Sequence, residues 1–313
     1  MRSVVTSGDS QGTRRWMLFI GIDTAGSLAA KSFSAWMKVF DADCELVCLN
    51  LPRDAADADY LSLLARMRGT SGCVGMQVTN HKVRLYSAAR LSFDQCSADV
   101  QTLEEVGGVV VSGRRLMAVS PDAAAFRGEL IQHLSRGLAA VDIVLLGGGG
   151  AARAVVLVAS ALPNVRRIAV TELDPRRRCD LQRWVDRVEA HGVPDRIQVR
   201  SADANDELAS TAAEGSVIVN SSGMGKDVPG SPLSGAVTFP RRAVVWDLNY
   251  RGELAFLGQA QAQAQSRELH VVDGFGLFIR NWTWLLESVL DKKLDDQTKE
   301  TLWQTTRSMQ NRA

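Results

Sequence analysis

The chain has 313 residues, 46% of them hydrophobic and 23% charged, with a formal net charge of +1. Such a composition belongs to a globular protein rather than a disordered one, and the length predicts about two domains. Near-neutral charge argues against nucleic acid or an anionic membrane as the main partner, because both select a clustered basic face; the run Arg176-Arg177-Arg178 is too short to alter that.

The first fifteen residues are mostly polar and read as a disordered tail. The apolar stretch 16–22 is too short for a signal-peptide core with its cleavage site, or for a membrane span. Five cysteines form no CxxC pair, which fits a reducing cytoplasm, and Cys44 and Cys48 read as small core residues on one strand face. His133, His191 and His270 show no metal-ligand spacing, so no metal is expected.

Taken in order, the apolar patterns predict strands at 17–22, 45–51 and 73–78 alternating with helices at 28–40, 58–68 and 82–89. A hairpin is expected where 109–111 and 115–119 flank Ser112-Gly113-Arg114, then a helix from 121 to 138. The clearest boundary falls at 138–141. Beyond it, strands at 143–146, 167–171, 197–200, 217–220 and 243–248 alternate with helices at 151–162 and 175–190. A polar helix is expected over 259–265, and 275–307 reads as helical, with Trp282, Trp284 and Trp303 as packing residues. Alternation of this kind predicts an α/β chain whose parallel sheet is covered on both faces.

The strongest local motif follows the strand at 143–146: Gly147-Gly148-Gly149-Gly150-Ala151-Ala152. Gly147 permits a tight turn, Gly149 allows backbone to approach a pyrophosphate, and Ala152 is small enough for close helix packing. The unpaired N–H groups opening the next helix would face the phosphates. Glu172 ends the next strand, 25 positions beyond Gly147, where a carboxylate accepts from the adenosine ribose hydroxyls and repels the 2′-phosphate of NADP. Asp174 is a second candidate for that role, and Arg176, Arg177 and Arg178 are candidates for holding a 2′-phosphate. The pattern favours NAD, with NADP the alternative.

Two further residues carry chemistry. Lys82 follows Gln77-Val78-Thr79-Asn80-His81, where an apolar strand breaks into polar residues, and Asp122 follows Ser120-Pro121. A lysine and a carboxylate brought together can manage the proton of an alcohol oxygen during hydride transfer, the lysine as carrier and the aspartate as orienter.

With these motifs in place, residues 17–290 resemble the shikimate/quinate dehydrogenase family. Gln77-Val78-Thr79 with His81-Lys82 resembles the family's N-V-T-x-P-x-K, one residue shorter and without the proline. Ala118-Val119-Ser120-Pro121-Asp122 resembles G-x-N-T-D, and the glycine loop matches G-A-G-G-A-A. Asn220-Ser221-Ser222-Gly223-Met224 is similar to a shortened N-A-T-P-x-G-M, and Asp247-Leu248-Asn249-Tyr250-Arg251-Gly252 to D-x-x-Y-x-P. Gly274-Phe275-Gly276-Leu277-Phe278-Ile279-Arg280-Asn281 is similar to G-x-x-M-L-x-x-Q.

The resemblance implies a substrate domain over 16–125, completed by C-terminal helices at 275–310, a Rossmann-type NAD(P) domain over 126–274, and an active site in the cleft between them. It implies Lys82 and Asp122 as the catalytic pair, with Ser27, Gln77, Thr79, Ser120, Tyr250 and Asn281 reaching substrate. Asn220, Ser221, Ser222, Met224 and Gly274 would join the glycine loop at the cofactor, and His81 carries no chemical duty. The substrate contacts depart from the family: where it uses S-x-S for the carboxylate, this chain has Thr24-Ala25-Gly26-Ser27, and Gln77 and Ser120 replace asparagines. A site built for one hydroxyl pattern rejects mismatches by about 10⁴-fold in favourable cases. The expectation is therefore the same chemistry on a different small polar substrate, by a monomer or homodimer; the alternatives are reduction of an imine or another carbonyl, or a non-catalytic dinucleotide and metabolite sensor.

Overall fold

A computed structural model describes residues 14–134, 140–226 and 228–310. Most of the tail expected over 1–15, the end of the helix expected to reach 138, and part of the boundary expected at 138–141 lie outside the described residues. Arg15, placed in that tail from sequence, instead opens the first strand.

In chain order the first elements are β1 (Arg15–Gly21), α1 (Leu28–Val39), β2 (Cys44–Asn50), α2 (Asp57–Gly69), β3 (Cys73–Val78), α3 (Lys82–Ala89), β4 (Gln95–Cys96), α4 (Ala98–Leu103), β5 (Gly108–Ser112) and β6 (Arg115–Val119). Next come α5 (Pro121–Leu134), β7 (Val141–Leu146), α6 (Gly150–Ser160), β8 (Val165–Glu172), α7 (Pro175–Ala190), β9 (Ile197–Ser201), α8 (Asn205–Thr211) and β10 (Val217–Asn220). The last are β11 (Val244–Asp247), α9 (Ala255–Arg267), β12 (His270–Val272), α10 (Phe275–Leu290) and α11 (Asp296–Gln310). The described residues divide into two compact units, one holding 14–96, 108–118 and 286–310, the other those of 97–107 and 119–285.

The first unit is built on a sheet of order β2-β1-β3-β5-β6-β4. β1 is parallel to both β2 and β3, while β5 runs antiparallel to β3. The last helix belongs to this unit and is tied to α1 by a buried hydrogen bond of 2.7 Å from Trp36 Nε1 to Thr306 Oγ1. The single helical run expected over 275–307 is interrupted at Asp291, which takes the left-handed φ of +52°. Glu287 holds the break, its carboxylate accepting from the Leu294 backbone N–H at 2.9 Å and from Lys293 Nζ at 3.2 Å. Cys44 is buried here as expected, whereas Cys48 is only half-buried.

The second unit carries a six-stranded parallel sheet of order β12-β11-β10-β7-β8-β9, that is, 3-2-1-4-5-6 read from its far edge. This is the Rossmann arrangement, with the order reversing between β7 and β10. Alternate residues of each strand supply the two cores, which is why the strands read as continuous apolar runs. Ile143, Leu145, Val219 and Trp246 meet Phe126, Val155 and Trp184 on one face. Val144, Ile218 and Val245 meet Leu208, Phe256 and Phe239 on the other.

Asp142 pins the opposite end of this sheet. It is fully buried and accepts from Arg166 at 3.0 and 2.8 Å, Arg167 at 3.1 Å and the Ala213 backbone N–H at 3.2 Å. Burial alone would raise its pKa, but the donors outweigh that and hold it below the usual carboxylate range. A group depressed in this way contributes stability above its unfolded pKa and loses it as acid protonates the folded carboxylate. Asp142→Asn is therefore expected to destabilise the chain by about 2 kcal/mol at neutral pH. The difference from wild type should shrink below about pH 4 in urea unfolding curves.

Candidate functional site

In the second unit the sheet order reverses between β7 and β10, and the loops after these two strands touch. Gly147 has a φ of +121°, and a Cβ there would lie 2.6 Å from both the Ser222 backbone nitrogen and its Cα. Only glycine fits a turn that is both left-handed and pressed on a neighbouring backbone. Ser221 closes the contact from the other side: its N–H donates to the Leu146 carbonyl at 3.0 Å and its Oγ to the Gly147 carbonyl at 2.7 Å. Gly149 is the N-cap of α6, with open space where a Cβ would project, and no side chain caps the helix there. Open backbone N–H groups at a switch point suit a pyrophosphate, so this turn fits a dinucleotide. Gly148, Gly150 and Ala151 complete the turn, and Ala152, fully buried, packs the new helix onto the sheet.

Glu172 ends β8 beside this turn, its Oε2 lying 3.2 Å from a Cβ built on Gly148. Its Oε1 accepts from the Asp174 backbone N–H at 3.2 Å, and Oε2 is 3.6 Å from Arg177 Nη2. A carboxylate has about four acceptor sites, so two partners leave room for ribose hydroxyls. Asp174 is engaged differently. It is the N-cap of α7, taking the Arg176 and Arg177 backbone N–H groups at 2.8 and 3.0 Å, with Pro175 at the first helical position.

The Asn220 loop is framed by a residue that heads one of the sequence motifs but is given no role there. Asp247, at the end of β11, is fully buried and accepts from Asn220 Nδ2 at 3.1 Å and from the Asn249 backbone N–H at 2.9 Å. The Met224 carbonyl accepts from Asn220 Nδ2 and Asn249 Nδ2, each at 3.0 Å, and Ser222 Oγ donates to Asn220 Oδ1 at 2.7 Å. Asp247 Oδ2 has no hydrogen-bond partner, and burial pushes this carboxyl up to about 6. The signal available in sequence was an aspartate closing an apolar strand two residues before Asn249. Gly274 is required by packing, since a Cβ would come 2.1 Å from the Leu248 carbonyl oxygen.

The unit also places two of the expected substrate residues, Asn281 and Tyr250, on or against α10. Asn281 Nδ2 donates to Asp122 Oδ1, and both residues are buried. One turn earlier on the same face, Phe278 packs against Tyr250 with ring centroids 4.6 Å apart. Burial raises the Tyr250 phenol to about 12, so it stays a neutral donor. Ser120, immediately before α5, is buried and its Oγ has no hydrogen-bond partner.

In the first unit the remaining candidates sit where the parallel strands β1, β2 and β3 end. Gly21 lets Thr79 approach, as a Cβ would lie 2.5 Å from the Thr79 methyl. Gln77 is buried on β3, and Lys82 is the first residue of α3, half-buried. Ser27 caps α1 by accepting the Ala30 N–H at 3.2 Å, which leaves its own proton free to donate. Thr24 differs: it is fully buried and its hydroxyl donates to Asn50 Oδ1 at 2.7 Å, so its only proton is spent within the fold. Lys82 belongs to the first unit, and Asp122 and Asn281 to the second. Among the described residues, no group of three or more His, Cys, Asp or Glu is placed to hold a metal ion, and no helix is long and apolar enough to cross a membrane.

No family model matches the chain. It is similar to the shikimate dehydrogenase (NADP+) of Streptococcus gordonii, 25% identical over 205 residues that cover 65% of this chain and 68% of that protein. It is also similar to the shikimate dehydrogenase (NADP+) of Symbiobacterium thermophilum, 31% identical over 184 residues, 58% of this chain and 59% of that one. Among solved structures, a quinate dehydrogenase from Corynebacterium glutamicum in complex with NAD matches with a TM-score of 0.72 at 18% identity, over 94% of this chain and 99% of that one. A shikimate 5-dehydrogenase from Thermus thermophilus, in complex with NADP(H) and shikimate, matches with a TM-score of 0.68 at 20% identity, over 93% and 99%. At these identities the structural matches establish a shared fold.

Gly147→Ala is expected to cost about 2 kcal/mol or more, from the strained φ and the clash with Ser222. Thermal unfolding measures the loss. A fluorescence titration with reduced nicotinamide dinucleotide should show weakened binding in whatever fraction remains folded.

Proposed function

We propose that this chain, a divergent relative of the shikimate/quinate dehydrogenases in sequence and fold, is an NAD(P)-dependent oxidoreductase acting on a CH–OH group of a small, polar, cyclic hydroxy acid. The observation that carries the reading is the glycine turn pressed against the Asn220–Ser222 loop where the sheet order reverses. The same chain carries a lysine at a strand end and an aspartate held by Asn281.

Gly147 and Gly149 would bring backbone N–H groups to the pyrophosphate of a bound dinucleotide, the Asn220 loop supporting the turn, and its nicotinamide would supply hydride chemistry at the alcohol carbon. The other roles fall to residues of the chain. Asp122, fixed by Asn281, would accept a hydrogen bond from a neighbouring substrate hydroxyl and so orient the ring. Lys82 takes the hydroxyl proton in the oxidising direction and returns it in the other. Residues 16–125 with the C-terminal helices would serve as the substrate domain and 126–274 as the dinucleotide domain, in a cytoplasmic enzyme whose partner is the small substrate.

Glu172 favours NAD. At the proposed ribose position its charge would repel a 2′-phosphate, and the Arg177 guanidinium, with Nη2 3.6 Å from Oε2, is already paired with it. In this preference the chain would depart from the relatives described above, which are named for NADP+. The substrate departs from shikimate, since Ser27 retains a donor where Thr24 does not.

Three measurements test the reading. A spectrophotometric screen of shikimate, quinate and related hydroxy acids with both cofactors should give turnover, with shikimate a poor substrate. Failure of every alcohol, alongside tight binding of one, would instead support the sensor. Lys82→Ala should lower kcat about 10²- to 10⁴-fold, and full turnover in that variant removes the mechanism. Glu172→Gln keeps the acceptor for Asp174 and loses the charge; it should narrow the gap between NAD and NADP in kcat/KM by about tenfold.

A further inference from the structure

We infer that Tyr60 and His81 form a positioning pair that sets the placement of Lys82, an inference that rests on Lys82 as the proton carrier proposed above. His81 is 2% exposed and both of its ring nitrogens are engaged. Nε2 lies 3.2 Å from the Leu51 carbonyl oxygen, and Nδ1 lies 2.8 Å from the Tyr60 hydroxyl. A carbonyl oxygen only accepts, which assigns the ring proton to Nε2 and leaves Nδ1 to accept from Tyr60. Burial, with Arg53 and Arg84 close by, holds the imidazole below its ordinary pKa, consistent with that neutral tautomer.

The ring is thus clamped between two separate elements. Tyr60 is fully buried on α2, its ring 5.9 Å from that of His81. Leu51 follows β2 and is itself fixed, its N–H donating to the Gly21 carbonyl at 2.8 Å. The chain between β3 and α3 makes its reversal at Asn80, in the left-handed region at φ +62°, and the His81 N–H then donates to the Thr79 carbonyl at 2.7 Å. The His81 carbonyl opens α3 by accepting the Leu85 N–H at 2.8 Å, although its side chain caps nothing. The residue that begins this helix is therefore held from outside it, by α2 and the end of β2. Lys82 is the next residue, so its backbone inherits the location that the His81 ring imposes. Displacement of a catalytic group by about 1 Å costs on the order of 10²-fold in rate, which makes such a clamp consequential.

The experiment compares Tyr60→Phe, His81→Leu, His81→Asn and Lys82→Ala by steady-state kinetics on the substrate found in the screen, with thermal unfolding and dinucleotide titration of each. Tyr60→Phe and His81→Leu should lower kcat about tenfold with KM for substrate and cofactor changed less than about twofold. His81→Asn, which restores an acceptor facing Tyr60, should recover most of the loss. Tyr60→Phe deletes one oxygen atom and keeps the test alive if His81→Leu fails to fold. The inference is overturned if Lys82→Ala is inactive while Tyr60→Phe and a folded His81→Leu turn over at the wild-type kcat. It is equally overturned if their losses lie in KM, or if His81→Asn is no better than His81→Leu. Full turnover by Lys82→Ala would overturn the proton-carrier assignment first, and this inference with it.

Discussion

The second unit depends on the closeness of two backbones. Where β7 and β10 diverge, the turn at Gly147 and the loop at Ser222 approach so tightly that a single methyl group would collide with main chain. Neither loop can move independently, because Ser221 donates to both Leu146 and Gly147 while Asp247 and Asn249 hold Asn220 and Met224 from behind. Backbone placed this firmly can present N–H groups to an anion without paying to order them on binding.

The first unit uses a related device on a different scale. Its three parallel strands also end at one edge, and there too a glycine, Gly21, makes room for a neighbour, Thr79. Beyond β3 the chain runs through a left-handed residue and a clamped imidazole into a helix with a lysine at its head. Strand ends of this kind collect chemistry because the backbone there has left the ladder and side chains no longer have to alternate between two covered faces.

Much of this was legible in the amino-acid order, and the reasons are specific. Strands β7, β8, β10 and β11 are buried on both faces, so their unbroken apolar runs stand out. The glycine turn could be read because its residues are dictated by backbone geometry rather than by long-range contact. Short elements escaped: β4 has two residues and α4 six, too few to display a period. The break between α10 and α11 escaped as well, since it is made by Glu287 reaching the Leu294 N–H, and Asp291 carries no glycine or proline signal. Side-chain commitments were the least legible. Nothing in the order of residues says that Thr24 spends its proton on Asn50, or that His81 meets Tyr60 across 21 positions.

Glu172 illustrates what it means for one carboxylate to hold two jobs. Besides the ribose role proposed for it, it accepts from Asp174 at the turn into α7, contacts Arg177, and packs beneath Gly148. A lineage that replaced this acid with a residue lacking an acceptor would loosen the strand-to-helix corner in the same step. A glutamine would spare the Asp174 contact and give up only the charge, so the corner narrows which single replacements are tolerated there.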